Sequence, residues 1–150
     1  MNFINGTIGI VGNEEAKFTS LGRTRAFDKL VQLIDRPEII KVVSGGCHLG
    51  GIDKWAIQVA SELGKEIEEF LPEKLQWEGG YKQRNIQIAE ASEEVHCLSV
   101  NKLPENYSGM KFEYCYHCHR NDHIKSGGCW TILYAKRIER KGFLWIIENF

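Results

Sequence analysis

Val42-Val43-Ser44-Gly45-Gly46-Cys47-His48-Leu49-Gly50-Gly51-Ile52-Asp53 is the stretch on which the fold turns. β-Branched apolar residues lead into a glycine-rich loop. From there Ile52, Trp55, Ala56, Val59, Ala60 and Leu63 recur at helical spacing until Gly64. That order reads as a buried strand, a tight turn and an amphipathic helix closed by glycine. In such a turn Gly45 and Gly46 let the backbone approach a ligand, while Gly50 and Gly51 accept positive φ. The free N–H groups of the helix start then face the loop as a site for phosphate oxygens. The same glycines also suit a tight connection that binds nothing.

The pattern repeats on both sides of this unit. Thr7 to Gly12 is a short apolar run read as the first buried strand, and Leu21, Phe27, Leu30, Val31 and Ile34 mark a helix over 19–34. Thr19 or Ser20 is its expected N-cap, and Pro37 stops it. Strand 39–43 follows, then the helix over 51–63. Segment 66–71 is a weaker strand whose Glu66, Glu68 and Glu69 suit a sheet edge. Helix 83–91, strand 94–100, helix 131–140 and strand 143–147 complete the chain. Strands separated by helices predict an α/β fold: a doubly wound, mainly parallel five-stranded sheet of Rossmann-like type, formed by residues 1–150 as one domain. Ligands in such sheets bind outside the carboxyl ends of the strands.

Composition agrees with a globular chain. The 150 residues are 43% hydrophobic and 26% charged, with a formal net charge of -1, so no global field draws nucleic acid or an anionic membrane. No apolar run approaches the ~20 residues of a membrane span. Met1-Asn2-Phe3-Ile4-Asn5 lacks a basic, apolar leader, and the expectation is a cytoplasmic protein. The late basic run Lys136, Arg137, Arg140 and Lys141 reads as a solvated helix face. Assembly of identical subunits is left open.

Three further features converge with the first loop. Gly12-Asn13 ends the first strand, Arg84-Asn85 opens the third helix, and Ser126-Gly127-Gly128-Cys129-Trp130-Thr131 repeats the glycine-rich helix start. A guanidinium at Arg84 suits an anionic group. The expected ligand-binding set is therefore Gly12, Asn13, Ser44, Gly45, Gly46, Gly51, Asp53, Arg84, Asn85, Ser126, Gly127, Gly128 and Thr131. Asp53 is the one carboxylate at these loops. It can hold a ribose hydroxyl, act as a base, or cap its helix. His48 reads as a solvated loop residue or a phosphate donor, and Tyr81 and Trp130 as core aromatics or base-stacking surfaces.

At these residues the chain resembles the SLOG superfamily of Rossmann-like nucleotide-binding domains, most closely its small YspA-like branch. That superfamily includes the LOG phosphoribohydrolases and DNA-processing protein A. The resemblance rests on the Ser-Gly-Gly loop at 44–46, Gly51-Ile52-Asp53, Arg84-Asn85 and the turn from Gly127 to Thr131. It covers nearly the whole chain outside residues 101–125. It implies binding of a nucleotide or a nucleotide-derived molecule, and leaves catalysis unassigned. The LOG motif Gly-Gly-x-Gly-Thr-x-x-Glu meets Gly127-Gly128-Cys129-Trp130-Thr131-Ile132-Leu133-Tyr134 here, so Tyr134 stands where the carboxylate would be.

Residues 101–125 form a polar, Cys/His-rich insertion before the last helix, too long for an ordinary connection. Five cysteines make an odd number, and Cys47 and Cys97 sit apart in the sequence. Cys115, Cys118, His123 and Cys129 give the spacing C-x₂-C-x₄-H-x₅-C, one residue from a zinc knuckle. Three thiolates and an imidazole suit a structural Zn²⁺, whose closed shell leaves no position for a reacting water. His117 and His119 compete for the histidine place. Zinc knuckles also bind single-stranded nucleic acid, but the net charge argues against that as the main role. The readings are thus a ligand-binding sensor with a zinc loop, a hydrolase of a nucleotide's glycosidic or phosphate linkage, or a nucleic-acid-associated module.

Overall fold

The computed structural model describes residues 4–150; the first three residues of the N-terminal stretch read as lacking a leader lie outside them. Five parallel strands, β1 (Thr7–Gly12), β2 (Lys41–Ser44), β3 (Glu66–Glu69), β4 (Glu94–Val100) and β5 (Lys141–Ile147), form one sheet in the order β3-β2-β1-β4-β5. Helices α1 (Ser20–Ile34), α2 (Ile52–Glu62), α3 (Lys82–Glu90) and α4 (Gly127–Arg137) connect them. The strand order reverses at β1, where Ile8 pairs with Val42 on one side and with Glu94 on the other. That is the switch point of a doubly wound sheet, and the crevice outside it is where a ligand fits.

Alternating strand residues divide the core into two layers, as the two-residue period of a strand requires. Ile8, Ile10, Val42, Leu98 and Val100 pack against Leu30 and Ile34 of α1 and Trp55 and Val59 of α2. Val11, Val43, Val95 and Cys97 face Ile88 of α3 and Ile132 of α4. Each fully buried Ile, Leu or Val contributes about 1.5–3 kcal/mol of transfer free energy.

Local chemistry sets the helix ends. Thr19 caps α1 by accepting the Gly22 N–H at 2.9 Å, and the helix ends at Ile34 ahead of Pro37. Asn149, 1% exposed, locks this cap to the chain's end. Thr19 donates through Oγ1 to its carbonyl at 2.6 Å, and its own amide donates to the Lys17 and Lys102 carbonyls. The largest shifts from the periodicity are at the two ends of α4; β2 also starts later, at Lys41, and β3 stops at Glu69. α4 begins at its glycines, because Ser126 Oγ accepts the Gly128 N–H at 3.1 Å and starts the helix there. It stops at Arg137, since Glu139 takes φ 65° and the chain turns into β5 already at Lys141. The basic run is therefore split between a helix end, a turn and a strand start. No helix among the described residues is long and apolar enough to cross a membrane.

Candidate functional site: a cleft and an adjoining thiolate cluster

The loops after β1, β2 and β4 and the turn into α3 meet at the carboxyl edge of the sheet around a cleft of about 670 Å³. Of the residues expected to bind a ligand, Gly12, Asn13, Asp53, Arg84, Asn85, Ser126, Gly127 and Gly128 line it. Ser44, Gly45, Gly46, Gly51 and Thr131 do not line it and instead build its frame. Ser44 Oγ donates to the Ile10 carbonyl at 2.9 Å, tying β2 to β1. Thr131 Oγ1 donates to the Gly127 carbonyl at 3.3 Å inside α4.

Gly51 is the clearest case of a glycine required by approach. It caps α2 at φ 86°, and a β-carbon there would lie 2.6 Å from the Glu14 carbonyl carbon and the Glu15 nitrogen, and closer still to the Asn13 carbonyl oxygen. The loop after β1 therefore runs directly over the start of α2, and Ile52 N–H donates to the Asn13 carbonyl at 3.1 Å. Asn13 is itself 2% exposed. Its Oδ1 accepts the Val100 N–H at 2.7 Å and its amide reaches the Lys125 carbonyl at 3.4 Å. One side chain thus staples β1, β4 and the end of the insertion at the switch point.

Arg84 and Asp53 form the floor. Arg84 Nη1 donates to the Gly45 carbonyl at 2.7 Å and Nε to Asn85 Oδ1 at 2.9 Å, while its guanidinium lies 5.4 Å from the Tyr81 ring centroid. Gly45 lies so close to Arg84 and Asp53 that a β-carbon would collide with both. Asp53 makes no capping bond to α2, whose N-cap is Gly51. Burial pushes its pKa up to about 6 against the pull of Arg84 and of the Cys47 N–H. Protonated and ionised forms of Asp53 are therefore both accessible near neutrality.

The sequence pattern alone missed the opposite wall. Lys17 and Glu14, 3.8 Å apart, line the cleft beside Trp77, Tyr116, His117 and Lys125. Burial lowers the Lys17 pKa, with Glu14 opposing. Trp77 belongs to a turn over Trp77–Tyr81, where Gly79 takes φ 75°. Its ring meets Trp130 edge-on at 5.2 Å and His117 at 6.0 Å between centroids. Lys125 Nζ lies 5.0 Å from the Tyr116 ring centroid. His48 and Tyr81 also line the cleft.

Behind that wall, the ligand atoms of Cys115, Cys118, His123 and Cys129 all lie within 4.8 Å of one another, a group that can hold a metal ion. His123 Nε2 is 3.5 Å from Cys118 Sγ and 3.3 Å from Cys129 Sγ. Its other nitrogen is 2.8 Å from Asp122 Oδ1, the carboxylate–imidazole arrangement that orients a ligating histidine. Arg120 and His123 hold the Asp122 pKa down to about 2. Cys115 and Arg120 pair as an antiparallel bridge, and His119 takes φ 63° in the turn. His119 is thereby left exposed against Tyr114, and His117 is directed to the cleft. Burial opposes the Cys115 thiolate, but backbone N–H groups of Ser126, Cys118 and His117 aimed at its sulfur bring its pKa to about 7. The donor set of three soft sulfurs and one nitrogen fits a tetrahedral Zn²⁺ shell.

No family model and no curated protein matches the sequence. Solved structures do match the fold. The molybdenum cofactor carrier protein of Chlamydomonas reinhardtii superposes at TM-score 0.58 with 16% identity, over 92% of this chain and 74% of that one. DNA processing protein A of Streptococcus pneumoniae superposes at 0.59 with 16% identity, over 92% of this chain and 49% of that one. The chain thus shares the Rossmann-like fold of these two proteins, and it spans about half the length of the second.

Proposed function

We propose that this chain binds a nucleotide or a nucleotide-derived phosphate ligand in the cleft, as a carrier or sensor, and holds a structural Zn²⁺ in the adjoining cluster. The observation that carries this reading is the convergence of three βα loops and the turn into α3 on one cleft at the switch point. The start of α4 supplies N–H groups and the positive end of a helix dipole to an anion. Lys17, Arg84 and Lys125 outnumber Glu14 and Asp53 around the same space. Similarity in fold to a cofactor carrier supports binding in preference to turnover, as does Tyr134 at the place of the LOG carboxylate. Thiolate-rich donors, a closed four-residue shell and the Asp122 partner support zinc in a structural role.

Native mass spectrometry of the purified protein tests both halves together. One zinc per chain and a bound nucleotide-sized mass are expected. Protein that carries neither, and fails to bind AMP or ADP-ribose by calorimetry, ends the proposal.

One observation favours hydrolysis as a second reading: Asp53 faces the cleft with a pKa near 6, in the range of a general base. Turnover that is lost in Asp53→Asn while binding survives would establish it. Binding without turnover in the native protein would remove it.

A further inference from the structure

Metal cluster and cleft wall alternate along the same short stretch of chain. Tyr116 and His117, which line the cleft, sit between the ligands Cys115 and Cys118. Lys125, Ser126, Gly127 and Gly128 line it between His123 and Cys129, and Trp130 follows Cys129 directly. A residue that immediately follows or precedes a ligand inherits its position from that ligand. The contact then passes beyond the insertion. His117 and Trp130 are the two rings that meet Trp77, which belongs to the separate turn ahead of α3. Trp77 is half-buried at the start of its turn, where Glu78 and Gly79 are open to solvent, while Gly80 is buried and Tyr81 packs against Arg84 at the α3 end.

We infer that the metal cluster builds a ring-binding subsite: by fixing His117 and Trp130 it holds Trp77 in place, and the wall so formed takes the planar heteroaromatic part of the ligand. The inference rests on the proposed ligand site and adds its anatomy. The anionic part of the ligand goes to the floor and the start of α4, on the sheet. The ring goes to the wall that depends on metal. Aromatic faces recognise heteroaromatic rings by stacking whatever their substituents, so this subsite selects a ring without specifying its edge. Loss of metal removes the wall and leaves the sheet: Val11 and Val43 share a layer with Cys115 and Cys129, but β1, β2 and α2 close a separate core on the other face of the sheet through Ile8, Val42, Trp55 and Val59.

Hydrogen exchange followed by mass spectrometry, on zinc-loaded and zinc-stripped full-length protein, tests the coupling without any ligand. Protection should fall at least tenfold in peptides covering residues 77–81 as well as 115–130, with 41–44 and 52–62 unchanged. Unchanged exchange at 77–81 overturns the inference. AMP then serves as the probe for the ring subsite. Its affinity should fall tenfold or more on zinc removal and again in zinc-loaded Trp77→Ala, while inorganic pyrophosphate loses less than threefold. Equal losses for both probes overturn the ring assignment. If neither probe binds the zinc-loaded protein but residues 77–81 lose protection on stripping, the coupling stands and the nucleotide reading falls.

Discussion

Arg84 and Asp53 face each other across the floor of the cleft, guanidinium nitrogen 3.9 Å from carboxylate oxygen, with side chains only 10% and 8% exposed. The separation is wider than a hydrogen bond; Arg84 gives two of its five N–H donors to the Gly45 carbonyl and Asn85 Oδ1. The pair is a charge pair without a direct bond, and each member has a measurable consequence.

Asp53 should impose a pH dependence on stability. Its folded pKa of about 6 lies above the ordinary 3.8, so between those values the folded state holds more protons than the unfolded one. Stability contributed by this group is therefore present at low pH and is lost as pH rises from about 4 to about 6. The loss is up to roughly 3 kcal/mol, at about 1.4 kcal/mol per pKa unit. Asp53→Asn should remove this slope from the stability-versus-pH curve across that window in urea titrations, so that the difference from the native protein changes with pH there. An unchanged slope would place Asp53 near its solution pKa.

Removing the cation should act in the opposite sense. Arg84→Ala leaves the Asp53 carboxylate buried without a positive partner and frees the Gly45 carbonyl. The cost is expected to be about 3 kcal/mol at pH 7. It should shrink at pH 5, where Asp53 takes up a proton. Binding of AMP should weaken by about 2 kcal/mol as well. Calorimetry and urea unfolding at the two pH values check both parts, and a stability loss independent of pH would assign the effect to the Gly45 hydrogen bond alone.

The cluster should hold one zinc per chain, with metal–sulfur distances near ~2.3 Å and metal–nitrogen near ~2.0 Å by X-ray absorption. Cys118→Ser should abolish stoichiometric metal. Asp122→Asn should weaken zinc affinity by roughly 10–100-fold through the loss of its bond to His123. His117→Ala and His119→Ala should leave metal content unchanged, because neither ring belongs to the cluster. Metal retained in His123→Ala but lost in His117→Ala would reassign the ligand.

Much of this architecture is written locally. Gly51-Ile52-Asp53 follows a strand and precedes a helix in the sequence as in the structure, since a β-carbon at 51 cannot coexist with the backbone at Glu14. The acidic edge strand is legible for the same kind of reason: Glu66 and Glu68 need solvent, and only an edge gives it. What sequence could not supply is contact at long range. Lys17 and Glu14 carry no pattern that aims them at a cleft, and Trp77 lies in a stretch with neither helical nor strand period. The spacing of Cys115, Cys118, His123 and Cys129 named the cluster but left three histidines in competition. The bridge between Cys115 and Arg120 turns His119 outward and His117 faces the cleft, which leaves His123 with the cysteines. Arg84 and Asn13 line the cleft, and their bonds, which the sequence did not foretell, run mostly to the protein's own backbone.

Asn13 provides the sharpest test of that last distinction. As a ligand contact, its loss would weaken binding and leave stability nearly unchanged. As a staple, its loss strands the Val100 N–H, which it accepts at 2.7 Å in a site 2% exposed, and releases the Lys125 carbonyl. A buried donor left without a partner costs about 1–3 kcal/mol. Asn13→Ala should therefore lower the unfolding free energy by about 2–3 kcal/mol. Asn13→Asp keeps the acceptor for Val100 and gives up the donor to Lys125. It should recover part of the stability, while loosening residues 123–126 because an aspartate oxygen repels the Lys125 carbonyl. Urea unfolding measures the first effect and hydrogen exchange at Val100 and across 123–126 the second. A neutral Asn13→Ala with exchange at Val100 unchanged would return Asn13 to the ligand and take the staple out of the fold.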